Sequence, residues 1–252
     1  MHAGSYRRVC FSSGLSTASH MLFHQFFDSA SSTYTYVLAS RAGGEALIID
    51  PVKEHLHAYL GIIERLDLRL VHAIDTHTHA DHITALGDLR DATRCCTIMG
   101  ERSKAECVSR RVREGEILRA DGIQLRAVYT PGHTDESFSF VLNPDAPAAV
   151  FTGDVLLVGG TGRTDFQGGD AEQSWDSIVN KLFTLPDITV VYPAHDYRGR
   201  TSTSIGEEKV ANPRIAGKSR AEYVEIMNGL NLADPKMMDV AIPANLRCGR
   251  RD

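Results

Sequence analysis

The spacing of apolar and polar positions predicts a layered α/β protein. "STYTYVLAS" (32–40) sets Tyr and Val against small polar residues with the period of a strand, and "EALIIDP" (45–51) is a short apolar run stopped by Asp50 and Pro51. "EHLHAYLGIIERLD" (54–67) instead carries Leu56, Leu60, Ile63 and Leu66 at helical spacing. "LRLVHAIDT" (68–76) reads as a strand, and "ADHITALGDLRDA" (80–92) as a helix opening near Asp81. Strands are predicted in "IQLRAVYTPGHT", broken by Pro131-Gly132, and in "SFSFVLN", "AAVFTGD" and "ITVVYPAHD". "AEQSWDSIVNKLFTL" (171–185) reads as a helix with Trp175, Ile178 and Leu182 on one face. The tail beyond about residue 204 looks helical around "RAEYVEIMNGL" and ends extended in "VAIPANLRCG". Strands and helices interleave, and no linker divides residues 21–252, so one α/β domain is expected there.

Composition narrows the function classes. Hydrophobic residues make up 42% of the 252 and charged residues 23%, as in ordinary globular proteins. A net charge of −5 argues against a nucleic-acid partner held by a basic field. No apolar run approaches the roughly 20 residues that cross a bilayer, so no membrane partner is expected. Residues 1–20 read as a leader, disordered or targeting, because no acidic residue precedes Asp28 and Arg7 and Arg8 stand among serines. Cys10, Cys95, Cys96, Cys107 and Cys248 form no paired framework and read as reduced thiols. That points to a bacterial-type cytoplasm, or to the mitochondrial matrix if the leader is a presequence.

The chemistry concentrates at strand ends. "DTHTHADH" (75–82) puts His77, His79, Asp81 and His82 just after one predicted strand. Three later strands run into His133, Asp154 and His195. Strand ends on one sheet edge can converge, and loops there carry function on a rigid scaffold. Side chains two apart in extended chain face the same way, so His77 and His79 can share a cavity. Asp81 is expected to cap the following helix as well as to orient a histidine. Gly132 and Gly153 permit tight backbone paths beside His133 and Asp154. Imidazole with carboxylate suits zinc, iron or manganese better than calcium or magnesium. His2, His20, His24, His55, His57 and His72 have no such context and read as structural.

In "THTHADH", "TPGHT", "FTGD" and "YPAHD", taken in that order, the chain resembles the metallo-β-lactamase superfamily over about residues 21–250. The resemblance implies an αβ/βα four-layer sandwich with its metal at one sheet edge. "GRTDFQ", "FTLP", "YPAHDY", "NPR" and "IPANLRCG" narrow it to the persulfide dioxygenases, the ETHE-type sulfur dioxygenases. Enzymes like these oxidise glutathione persulfide with O2 to sulfite and glutathione at one non-haem Fe(II) per chain. Carried onto this sequence, the iron ligands are His77, His133 and Asp154, a facial triad with open positions. His79, Asp81, His82 and His195 then hold ligands and bound water. Arg163 is expected either to hold a glutathione carboxylate or to pair with Asp165 or Asp196. Tyr197 is expected near the metal or a substrate thiolate, or else in the core. Cys248 is expected at the substrate entrance, or else as a buried thiol. A homodimer is the assembly the resemblance suggests. Thr161 stands before "GRTDFQ" where the family commonly has cysteine, and "DESFSF" follows "TPGHT" in place of a glycine-cysteine pair.

Two other readings compete. A hydrolase of the glyoxalase II type would use the same seven positions around two metals, zinc among them, to cleave a glutathione thioester. "IPANLRCG" argues against it, replacing a longer helical substrate-binding region. A silent sulfur-binding protein on this scaffold is disfavoured because every ligand position is retained.

Overall fold

Tyr36 and Leu38 project to one side of a strand, Val37 and Ala39 to the other, and all four are buried. A strand buried on both faces needs a layer on each side, and this sets the architecture. The computed structural model describes residues 21–250. Its first sheet holds Leu22–Asp28 (β1), Thr33–Ala39 (β2), Glu45–Ile49 (β3), Arg69–Ile74 (β4), Cys96–Gly100 (β5) and Arg110–Val112 (β6), side by side in chain order. The second is formed by Ile117–Ala120 (β7), Ile123–Tyr129 (β8), Phe138–Leu142 (β9), Ala149–Gly153 (β10), Val190–Pro193 (β11) and Thr203–Ser204 (β12), in the order β12-β11-β10-β9-β8-β7. The sheets face each other across Phe23, Tyr36, Leu47 and Ile98 from one and Leu125, Phe138, Phe140 and Phe151 from the other. Each such fully buried side chain stabilises the fold by about 1.5–3 kcal/mol.

The outer layers are helical. Leu56–Arg65 (α1) and Leu86–Thr93 (α2) cover the back of the first sheet through Tyr59, Ile62, Leu86 and Leu89. Ala171–Val179 (α3), Ile205–Ala211 (α4) and Arg220–Asn228 (α5) cover the second through Ile178, Ile205, Tyr223 and Met227. Met238–Asn245 (α6) packs Ala241 and Ala244 on Ile83. The four-layer αβ/βα sandwich is therefore present. Among the described residues no helix is long and apolar enough to cross a membrane.

Strand direction gathers the site. β3 and β4 are parallel, as are β10 and β11, and β8 shares their sense because β9 runs against both β8 and β10. The carboxyl ends of β8, β10 and β11 thus lie on one edge of the second sheet. The edges of the two sheets are joined where Phe138 N donates to Thr76 O at 2.9 Å and Tyr34 N to Ala194 O at 2.7 Å.

Four expectations are corrected. α2 opens at Leu86, not near Asp81, because His79 O, His82 O and Thr84 N are bonded to Asn245 and Ile83 O to Lys53, and Asp81 faces histidines instead of capping. The helix expected over 171–185 ends at Val179, and Leu182–Thr184 forms a separate short turn. The tail is helical at Met238–Asn245 despite Pro243. Proline removes one hydrogen bond there, but packing on Ile83 holds the short helix. Cys107 and Cys248 are joined in a disulfide, with Cα atoms 5.9 Å apart across 141 residues of chain, so these two are not reduced thiols. Cys95 and Cys96 are free. Cys10 and the leader lie outside the described residues.

Candidate metal centre

The loop after β4 has no helix or ladder of its own, so side chains hold it. Asp50, just past β3, accepts from Thr76 N at 2.8 Å, Thr76 Oγ1 at 3.1 Å and His79 Nε2 at 3.1 Å. With its proton given to Asp50, Thr76 Oγ1 accepts from His77 Nδ1 at 3.0 Å. That leaves the His77 Nε2 lone pair aimed at the centre. His133 arrives at the same state from the other side: its Nδ1–H donates to Arg163 O at 2.8 Å, and its Nε2 lies 3.6 Å from Asp154 Oδ2. Ligand atoms of His77, His133 and Asp154 all fall within 4.8 Å of one another. Two imidazole nitrogens and a carboxylate so fixed suit a transition metal.

Glycine makes the approach possible. A Cβ on Gly153, whose φ is +54°, would stand 2.7 Å from Thr76 Oγ1, and one on Gly132 would stand 2.3 Å from Ser174 Cα. Asp154 and His133 reach the centre only because the preceding backbone can press that close.

The charge states follow from the neighbours. Burial drives the His77 pKa well below its ordinary value, and His79 and His133 add to this. Burial alone would raise Asp154, yet the imidazoles of His195, His133 and His77 outweigh it and keep the carboxyl well below the usual range. His195 donates from Nδ1 to Asp154 at 2.6 Å and from Nε2 to Asp81 at 2.8 Å. Those two carboxylates overcome burial and hold it as an imidazolium. His79, Asp81 and His82 form a further metal-capable group, with His79 Nδ1 and His82 Nε2 buried without a hydrogen bond and His79 Nδ1 4.0 Å from Asp81 Oδ1. Burial opposes protonation of His79, but Asp50 raises its pKa to about 9. Thr33 Oγ1 lies within 3.3 Å of Asp81, His82 and His195, tying them together.

A cavity of about 770 Å³ opens onto the centre. His77, His133, Asp154, Asp81 and His195 line it, whereas His79 and His82 do not. Arg163 is on its wall, but the guanidinium is forked onto Asp165 at 2.6 Å through Nε and Nη2 and donates to Ala233 O at 2.8 Å. Of its two expected roles, the pairing with Asp165 is the one seen. Tyr197 is 73% exposed at the mouth, parallel to the His195 ring with centroids 6.1 Å apart, so it is no core residue. Cys248 is corrected again: it is buried in its disulfide and does not line the cavity. Thr161 Oγ1 on the wall accepts from Tyr223 and Arg214.

Sequence reasoning missed Asp50, Thr76, Thr33 and Glu136, whose Oε1 accepts from Thr78 N at 2.6 Å. Asp50 carried a usable signal, since it ends an apolar strand just as Asp154 does. The threonines carried none.

The model of the metallo-beta-lactamase superfamily matches residues 29–195. The chain is similar to "Persulfide dioxygenase ETHE1, mitochondrial" of Mus musculus, 43% identical over 91% of this chain and 89% of that protein. The Homo sapiens protein of the same name is also 43% identical over the same shares. Among solved structures, ETHE1 from Myxococcus xanthus is 52% identical with a TM-score of 0.88, covering 91% of this chain and all of that one. A metallo-beta-lactamase from Staphylococcus aureus is 26% identical with a TM-score of 0.83, covering 93% of this chain and 74% of that one.

Proposed function

The chain belongs to the metallo-β-lactamase superfamily, and from that premise we propose that it is a persulfide dioxygenase. It oxidises glutathione persulfide with O2 to sulfite and glutathione, water supplying the third sulfite oxygen. One Fe(II) per chain is held by His77, His133 and Asp154. The observation that carries this is the open triad: two imidazoles with committed Nδ1 atoms and one anionic carboxylate face a cavity of substrate size. The names of the similar proteins favour this reading over the thioester hydrolase.

Fe(II) bound there supplies a meeting place for O2 and the persulfide sulfur, which makes their reaction intramolecular. The protein's own groups prepare that place. Thr76 and the Arg163 carbonyl fix the two imidazoles in the tautomer that presents Nε2. His195 orients Asp154 and keeps it ionised at any physiological pH. The imidazolium also puts positive charge near the open face, which favours a persulfide bound as its anion. Tyr197 stands over His195 at the mouth, where its hydroxyl can reach a substrate thiolate. Arg163 fastens residues 232–233 on the cavity wall through its bonds to the Leu232 and Ala233 carbonyls.

The test is metal content and O2 uptake on anaerobically purified protein given glutathione persulfide. About one iron per chain with sulfite formed is the expected result. Two zinc ions and no O2 uptake would make it a thioester hydrolase instead.

A further inference from the structure

The motif "IPANLRCG" supplies no ligand, yet one of its residues lies inside the metal loop. Asn245, the last residue of α6, is 3% exposed. Its Nδ2 donates to His79 O at 2.8 Å and to His82 O at 2.9 Å, and its Oδ1 accepts from Thr84 N at 2.9 Å. We propose that Asn245 is a positioning residue for the metal centre, one that sets the course of residues 79–84 and through it the placement of the histidines. This rests on the reading of His77, His133 and Asp154 as a metal site.

The physical argument starts from the loop's own backbone. Buried carbonyl and amide groups must find partners. The near half of the loop finds them at the sheet ends and on the loop after Gly162: Asp50 takes Thr76 N, Phe138 N reaches Thr76 O, Glu136 takes Thr78 N and Gln167 reaches Thr78 O. The far half is bonded to the chain just past β3, where Lys53 N donates to Ile83 O at 2.8 Å, and three more of its groups converge on a single planar amide. A carboxamide is the one small neutral group with two donors and an acceptor in a rigid plane, so it fixes the spacing of His79 O, His82 O and Thr84 N together. An aspartate would set a carboxylate against two carbonyls, and an alanine would leave all three groups bare.

The rest of the motif holds that amide in place. Ala241 and Ala244 pack on Ile83. Cys248 O accepts from Gly87 N at 2.9 Å, and Gly249 O accepts from Lys53 Nζ at 2.8 Å. The Cys107–Cys248 disulfide pins the same segment. The tail is thus a splint, with Asn245 as its point of contact.

The experiment compares Asn245→Asp and Asn245→Ala with the unsubstituted protein. Fe(II) affinity is measured anaerobically by chelator competition, and site geometry by the visible spectrum of the Co(II)-loaded protein. Asn245→Asp keeps the volume and the acceptor for Thr84 N, and replaces the two donations with a carboxylate oxygen facing two carbonyls. Both variants should bind Fe(II) about 10–100-fold more weakly and show an altered Co(II) spectrum. Ile178→Val, in the helical layer of the other sheet, should lower the melting temperature and leave affinity and spectrum unchanged. Unsubstituted affinity and spectrum in both Asn245 variants would overturn the proposal while leaving the metal site intact. Failure of the unsubstituted protein to bind either ion would remove both. If neither variant folds, the Thr84 amide of the unsubstituted protein should exchange with D2O more slowly once metal is bound, and unchanged exchange would overturn the proposal.

Discussion

Two groups of identical chemistry sit side by side in this molecule and differ in what they face. His77, His133 and Asp154 have their outer atoms tied and their inner atoms turned to a cavity. His79, Asp81 and His82 are equally metal-capable by distance, but the two imidazoles lie behind the cavity wall. Asp81 shares the His195 imidazolium with Asp154. Ligand type is the same in both. Access for a substrate separates them, and that is a property of how the loop is held.

The sharpest break of this contrast is one substitution on each side. His133→Ala should drop bound iron from about one per chain to under about a tenth and abolish O2 uptake, since a facial triad has no spare ligand. His82→Ala should keep iron binding with affinity reduced roughly 10–100-fold, as for a residue that supports a ligand without being one. Equal losses in the two variants, by metal analysis and oxygen electrode, would mean that both groups bind metal.

Asp50 supports both groups at once, through Thr76 to His77 and directly to His79. Asp50→Asn should weaken iron binding by about tenfold and lower stability by roughly 1–3 kcal/mol as buried donors lose their acceptor. Chelator competition and a urea titration separate the two effects.

The buried groups around His79 should also show themselves in pH. Burial raises the Asp75 pKa to about 8, and Asp50 with its neighbours raises His79 to about 9 against the effect of burial. Both groups bind protons more tightly when folded. Metal-free protein should therefore lose stability as pH rises, through Asp75 from about pH 4 to 8 and through His79 from about 6.5 to 9. Thermal melts between pH 6.5 and 9 should fall steadily, and Asp75→Asn should flatten the slope.

The smallest effect belongs to the cavity wall. Arg163→Lys replaces the fork on Asp165 with a point charge, and KM for glutathione persulfide should rise by about two- to fivefold with kcat nearly unchanged. An equal fall in kcat would show that the Arg163 carbonyl, and with it His133, had moved.

The sequence made the ligands legible because each follows an apolar strand, and parallel strands deliver their ends to one edge. The layers were legible for the same reason, through period two in strands such as β2. What stayed hidden depends on distance along the chain. Asp81 reads as a helix cap locally, but its partners are His195 and Thr33, far away in sequence. "VAIPANLRCG" reads as extended, but Ile83 supplies the packing that keeps a helix through Pro243. Cys107 and Cys248 carry no spacing signal at all, since only the fold brings them together.

That disulfide closes residues 107–248 into a covalent ring. The ring contains the whole second sheet with His133, Asp154 and His195, while His77 and its loop lie on the open arm before it. The centre is thus assembled where an arm meets a ring. A protease cut at the exposed residues 197–200 would leave one molecule of unchanged mass apart from added water, and two fragments would part only on reduction. A cut at the exposed residues 41–43 lies in the arm, outside that protection.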